Sequence, residues 1–141
     1  MSNNKSYIAE EFLITKLKGD AQLTALVSDR IYADVAPTNP VFPFVTIRYE
    51  TYSDVETVNG KRPIQQFTYL VVASGKIASY APLQPILERI DAILDRTEGK
   101  TTTYVGTVIS CTFDGLYKMP YVDESGVNFR DIGNRYSLIV Q

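Results

Sequence analysis

The sequence predicts an α+β fold: a mostly antiparallel sheet of about four strands, with two main helices packed on one face and extended loop or hairpin arms. Strands are predicted by residues 44–52, where apolar and polar side chains alternate, and by residues 64–74, which are apolar on both faces. Helices are predicted by residues 6–18 and 79–96, where apolar side chains recur three and four positions apart. Residues 134–141 alternate again and predict a closing strand. These elements together favour a sheet with helices on one side.

The length and composition of the chain limit the number of domains and the class of protein. Its 141 residues fit a single domain over residues 1–141, without internal repeats or a dividing linker. The composition, 45% hydrophobic and 21% charged, is typical of a globular protein. No apolar run is long enough for a membrane span, and the first residues lack the apolar segment of a secretion signal. We therefore expect no membrane association and synthesis in the cytoplasm.

The N-terminal part is predicted to contain two helices and an extended connector. The first helix should end at Gly19, and Asp20 should cap a short second helix over residues 20–27. A short extended piece is expected at residues 28–32. Residues 36–43 contain three prolines, which exclude a helix and favour an extended connector.

A hairpin in the middle of the chain is predicted to organise the sheet. In its first strand, Val45 and Ile47 point to the same face, and its second strand reads as central because it is apolar on both faces. The residues between the strands, 53–63, are polar and charged, and Asn59-Gly60 is a strong turn signal. They are expected to form a loop or a hairpin arm that reaches beyond the domain.

The regular part of the helix over residues 79–96 is expected to begin later than Ser79, because Pro85 fits only if it lies in the first turn. Residues 97–100 are interpreted as a polar turn, and residues 101–114 as β-rich.

Within this β-rich segment, Ile109, Cys111 and Phe113 are expected to share one face. Residues 116–130 are interpreted as less regular, because Pro120 would interrupt a central strand. They are expected to form a second arm.

Charge and residue usage exclude several classes of function. The net charge is −2 and the pI is about 5.1, which argues against a broad DNA-binding face but permits a channel through which DNA passes. The chain has no histidine, which excludes Ser-His-Asp and Cys-His catalysis and histidine-ligated metals. Its single cysteine excludes an intrachain disulfide, and its 10 tyrosines suit protein interfaces.

No group of residues predicts catalysis. Neighbouring carboxylates occur in three places, but none has a partner that the sequence identifies, and solvated surfaces carry such groups routinely. These places are Glu10-Glu11, Asp54 with Glu56, and Asp123-Glu124. Cys111 is expected to be a buried, inert thiol. The sequence therefore predicts a protein that is not an enzyme and that has no cofactor and no metal site.

The order of signals from residue 20 to residue 47 carries a resemblance to a known family. A short helix leads into Arg30-Ile31-Tyr32, then a proline-rich connector, and then the strand that starts Pro43-Phe44-Val-Thr-Ile. In this order the chain resembles the tail completion or tail terminator proteins of long-tailed bacteriophages. Phe44 stands where that family commonly has tyrosine, and Ser28 where it commonly has glycine. The later order of strands and helix agrees with the family over most of the chain.

The resemblance implies a structural virion protein of the tail or neck, assembled in the host cytoplasm. Such subunits form a ring, most often a hexamer, which caps the finished tail tube, stops its polymerisation and joins the tail to the head. The implied partners are further copies of the chain, the tail tube protein and the head–tail connector proteins, while DNA passes through the lumen without specific binding.

Two polar stretches, residues 53–62 and 121–129, are the best candidates for contacts with a neighbouring subunit or the tail tube, although both could be merely solvated loops. The candidate interface residues are Asp54, Val55, Glu56, Thr57, Val58, Asn59, Lys61, Arg62, Tyr121, Asp123, Glu124, Val127, Asn128 and Phe129.

Two alternative functions remain open from the sequence. The chain could be another ring subunit of the neck or head–tail connector, since such proteins share size and ring symmetry. It could also be a small ligand-binding or enzymatic α+β domain. That alternative predicts a deep pocket with convergent polar groups and a titratable residue of perturbed pKa.

Overall fold

The computed structural model describes residues 5–55 and 64–141. This part of the chain forms three α-helices, a short 3-10 helix and a six-stranded sheet. In chain order the elements are α1 (Ser6–Lys18), α2 (Ala21–Val27), β1 (Ile31–Ala33), β2 (Phe44–Val55), β3 (Ile64–Gly75), the 3-10 helix (Ala81–Leu83), α3 (Gln84–Leu94), β4 (Thr97–Thr101), β5 (Gly106–Val122) and β6 (Asn128–Val140).

The sheet has the strand order β1-β2-β3-β6-β5-β4. All neighbouring pairs are antiparallel except β1 and β2, which are parallel, so the sheet is mixed. The expectation of about four strands was therefore too small, whereas the two main helices with a short one between them, the α+β class and the mainly antiparallel pairing are confirmed. The strand closest to the C-terminus, β6, lies between β3 and β5 and pairs with both. The middle of the sheet is thus completed by the last residues of the chain.

The helices pack on one face of the sheet, where alternate strand residues and the apolar helix stripes form one core. Each of the two central strands contributes a buried tyrosine, and Tyr69 lies directly opposite Tyr136. The strand residues of the core are Ile31, Val45, Ile47, Phe67, Tyr69, Val71, Ala73, Val108, Cys111, Ile132, Tyr136, Leu138 and Val140. The predicted orientation of Val45 and Ile47 is confirmed, and so is the central position of β3.

Three local expectations were wrong in the second half of the chain. The residues interpreted as a polar turn form β4, which pairs with the first part of β5. Residues 116–122 and 128–130 are regular strand on either side of the turn, because β5 continues through Pro120 to Val122 and pairs with β6. Ile109 lies at a register shift between Val108 and Ser110, so Val108 takes the buried position and Ile109 is exposed.

The second helix begins as the sequence indicates. The Asp20 carboxylate accepts a hydrogen bond from the Leu23 N–H at 2.8 Å and also receives two hydrogen bonds from the Arg89 guanidinium of α3. The predicted late start of α3 is confirmed too, since the 3-10 helix precedes it and Pro85 lies in its first turn. Asp20 therefore joins the start of α2 to α3.

We expect Asp20 to contribute stability that depends on pH. The hydrogen bonds from Arg89, and then from the Leu23 N–H, lower the pKa of this carboxyl from 3.8 to about 2. A lowered pKa stabilises the fold above the unfolded-state value, and this contribution is lost as the pH falls from about 4 towards 2. Asp20→Asn keeps a capping side chain without the charge. Urea unfolding should show the variant less stable at pH 6, with the difference shrinking towards pH 2; parallel profiles for the two proteins would contradict this account.

Cys111 is buried in the core, and burial raises the pKa of its thiol to about 12. Because the thiolate is the reactive form, we expect native protein at pH 8 to react with a maleimide far more slowly than urea-unfolded protein does. Mass spectrometry of the labelled chain measures this, and equally fast labelling of native protein would show that the strand opens readily.

Candidate assembly interface

The first free strand edge belongs to β2. The parallel strand β1 pairs only with residues 45–47 of β2, and the Asp34 N–H donates to the Ile47 carbonyl at 2.8 Å. Beyond Ile47, no strand in the described part of the chain pairs with the outer edge of β2. Residues 48–55 therefore present backbone groups on that side.

The second free edge belongs to β5, on the opposite side of the sheet. The short strand β4 pairs with β5 only as far as Cys111, and the Phe113 N–H donates to the Asp95 carboxylate at 3.0 Å. Residues 114–122 pair with β6 on one side and, within residues 5–55 and 64–141, with no strand on the other. Pro120 is compatible with this position because proline within sheets is confined to edges.

The free part of β5 also exposes large apolar side chains on both faces of the strand. Exposed large apolar side chains grouped along a free strand edge are candidates for contact with another protein. The exposed residues are Leu116 (56%), Met119 (48%), Tyr121 (59%) and Val122 (55%).

The predicted second arm is a hairpin of β5 and β6 with an ordered tip. The Asp123 carboxylate accepts hydrogen bonds from the N–H groups of Ser125 and Val127 and from the Ser125 hydroxyl. The Val127 and Ser125 bonds lower the pKa of Asp123. Asp123 therefore shapes the turn, while Glu124 is exposed and Gly126 supplies a positive φ of 85°.

The remaining predicted residues of this arm lie on its strands. Tyr121 and Val122 end β5, and Asn128 and Phe129 begin β6. The Tyr121 ring lies 5.7 Å from that of Phe129, which in turn lies 5.5 Å from that of Phe42 in the proline-rich connector. The base of the arm is thus held against the connector by aromatic contacts.

The predicted first arm lies mostly outside the described residues. Glu56, Thr57, Val58, Asn59, Lys61 and Arg62 all fall there. Of the described residues, Asp54 is exposed and accepts a hydrogen bond from the Tyr52 hydroxyl at 2.8 Å, and Val55 is the last residue of β2. Of the two arms, the described residues Asp54 and Val55 lie on β2, and the second arm lies on β5 and β6, with β3 between β2 and β6.

The face of the sheet opposite the helices carries two ion pairs that the sequence analysis did not find. Arg135 of β6 forms a two-pronged pair with Glu50 of β2 (2.5 and 3.1 Å), and Arg48 lies 3.6 Å from Asp131. Each pair bridges strands on either side of β3, so no local sequence pattern signals it. The four charges of these two pairs therefore neutralise one another on this face.

The described residues offer little for chemistry. They contain no cluster of three or more potential metal ligands, and none of their helices is long and apolar enough to cross a membrane. A cleft of about 280 Å³ between α1 and β4 is lined by Glu11, whose carboxylate accepts the N–H groups of Thr103 and Tyr104. The tyrosines with strongly raised pKa values, Tyr69 and Tyr136, owe them first to burial in the core.

Free strand edges and exposed apolar side chains are typical of a protein that contacts other chains. The family model described as "Tail completion protein gp17" matches residues 11–100, and the chain therefore belongs to this family. It is a structural protein of the bacteriophage tail and a component of the virion, and it is not an enzyme. The family resemblance stated from residues 20–47 is confirmed.

A solved structure shows the same fold. A chain of the structure titled "Virion of native gene transfer agent (GTA) particle" superposes with a TM-score of 0.74. The match has 15% sequence identity and covers 99% of this chain and 98% of that one. The comparison with curated proteins gave no match.

Proposed function

We propose that this protein is a tail terminator: a ring of identical subunits, most simply six, that caps the finished tail tube and stops its polymerisation. The outer side of the ring then provides the surface to which the head–tail connector binds. The observation that carries this proposal is the family match over residues 11–100. The fold shared along its whole length with a chain of a virion particle supports it.

The electrostatics of the chain suit a ring through which DNA passes. A net charge of −2 and the paired charges on the helix-free face give DNA phosphates little to bind. The lumen of the proposed ring therefore lets DNA through without holding it.

The partners of the ring are the tail tube protein on one side and connector proteins on the other. The tip of the β5–β6 hairpin and residues 53–62 are proposed as contacts with the tube or a neighbouring subunit. The hairpin tip is supported by its ordered turn around Asp123 and by the exposed Tyr121 beside it.

A direct test is the mass of the protein in solution, measured by light scattering with and without tail tube protein. A mass of about six subunits, or assembly that depends on the tube, supports the proposal. A chain that stays monomeric at high concentration, with or without tail tube protein, would overturn the proposal.

The first arm has its own test. Replacing residues 55–58 with a short Gly-Ser linker should leave the thermal unfolding transition nearly unchanged, because the core is formed by other, described residues, and should impair capping of tubes in a co-sedimentation assay. If capping is unimpaired, residues 55–58 do not contribute to the contact.

A further inference from the structure

We propose that copies of this chain join head to tail, with residues 114–122 of one copy pairing with residues 48–55 of the next to extend the sheet across the junction. The inference rests on the proposed ring, because it specifies the contact that builds it. Its starting point is that the described chain has one long unpaired strand edge on each side of the sheet, and the two are similar in length: nine and eight residues.

The directions of the strands allow this joint. Strands alternate in direction from β2 through β3 and β6 to β5, so β5 runs opposite to β2. A second copy in the same orientation therefore places its β2 antiparallel to β5 of the first. The alternation continues through the junction, and the contact joins two different surfaces, as a ring requires.

The positions of the two edges favour a ring of tilted strands. The centre of the free β2 edge lies level with Thr68 of β3, because Thr51 pairs with Thr68. The centre of the free β5 edge lies level with Ala73, because Lys118 pairs with Ile132 and Ile132 with Ala73.

Each added copy is therefore displaced by five residues along the strands, about 17 Å, and by four strand spacings across them, about 19 Å. The resulting tilt of about 40° falls within the range of about 35–45° at which sheets close into barrels. The stagger thus fits a closed assembly.

The side chains beside the two edges are complementary. On the helix side of β2, Tyr49 and Tyr52 are about half exposed, and Asp54 is exposed beyond them. On the helix side of β5, the exposed residues include Leu116 and Lys118. The joint buries aromatic against aliphatic surface and brings a carboxylate towards an ammonium group. A second copy supplies both matching edges, which is why we assign the edge to it rather than to another protein.

Crosslinking tests the joint. The native chain's own cysteine, Cys111, is buried and should react little with a maleimide. The variant that carries both Tyr52→Cys and Lys118→Cys is treated with a short bismaleimide at the concentration where the unmodified chain assembles, with tail tube protein if assembly needs it. Head-to-tail contact predicts a ladder of covalent oligomers. The two single variants are controls and should give no ladder.

The outcomes separate the joint from the proposed function. A ring by light scattering without a ladder overturns the strand joint and leaves the tail terminator proposal standing. Dimers from Lys118→Cys alone would mean that two β5 edges meet, and crosslinks to the tube protein would mean that the tube occupies the edge; either result overturns the joint. If the chain never assembles, with or without the tube, both proposals fail.

A second variant tests the energetics. Leu116→Lys places a charge in the proposed joint and should raise the protein concentration at half-assembly about tenfold or more, as expected for a central contact residue. Val105→Lys is the matched control, because Val105 is 85% exposed but lies outside both edges. Both variants should keep the circular dichroism spectrum of the parent. Equal assembly of the two variants would overturn the joint.

Discussion

Replacing Gly133 with alanine is expected to destabilise the fold by about 1–3 kcal/mol, the range for forcing extra atoms into a packed site. Gly133 lies in β6 and pairs with Val72 of the neighbouring strand β3, in the middle of the sheet. An added Cβ would lie 2.8 Å from the Val71 carbonyl oxygen and 3.1 Å from the Val72 Cα. Both are backbone atoms of a central strand, so the neighbours cannot simply rotate away. Urea unfolding measures the loss.

Gly99→Ala is the matched control for this experiment. Gly99 is also in a strand, β4, but a Cβ there would meet only side-chain atoms of Phe12 and Lys16 at 3.8 and 3.9 Å. The same substitution should be close to neutral, or stabilising by about 0.5 kcal/mol through the unfolded chain. Equal losses at both positions would show that close backbone approach is not the cause.

The second large effect is expected for Tyr136→Phe, which should lower the free energy of unfolding by about 2 kcal/mol. The partly buried Asp91 and the buried Asn134 side chains would each lose a hydrogen-bond partner. The Tyr136 hydroxyl donates to the Asp91 carboxylate at 2.9 Å and accepts from the Asn134 amide at 3.1 Å. Tyr136 is fully buried and Asn134 is 5% exposed, so water cannot easily replace the hydroxyl. Thermal and urea unfolding of the variant measure the cost.

Tyr69→Phe provides the comparison on the facing strand. Tyr69 is equally buried, but its hydroxyl makes longer contacts, 3.3 Å to Glu10 and 3.4 Å to the Ser6 carbonyl. Its loss should therefore cost less than that of the Tyr136 hydroxyl. The reverse order would mean that the short hydrogen bonds around Tyr136 do not contribute to stability.

The sequence correctly predicted the elements that carry a regular pattern of apolar residues. Helix α1 has the predicted bounds, and strands β2 and β3 begin where their apolar patterns begin. The cap at Asp20 was predictable because it depends on a contact three residues away. These parts of the fold are encoded over short stretches.

Elements whose role depends on distant neighbours were not predictable in this way. Strand β4 is short and lies at an edge, where Glu98 and Lys100 are exposed, so its sequence resembles a polar turn. The length of β5 was underestimated because Pro120 argues against a central strand, and the sequence does not reveal that β5 becomes an edge there.

The candidate interface was predicted in part. The exposed turn around Asp123 follows from the local sequence of turn-forming residues. A free strand edge is defined by the absence of a neighbour, which only the pairing of the whole sheet reveals. The pairs between Glu50 and Arg135 and between Arg48 and Asp131 likewise join residues more than 80 positions apart.

The length of tail tubes assembled with this protein tests the central claim most directly. Tail tube protein is polymerised with increasing amounts of the chain, and tube lengths and ends are recorded by electron microscopy. The tail terminator account predicts that tubes become shorter as the chain is added and that a ring of density closes one end of each tube. Tubes of unchanged length, with the chain bound along the wall or not at all, would contradict it.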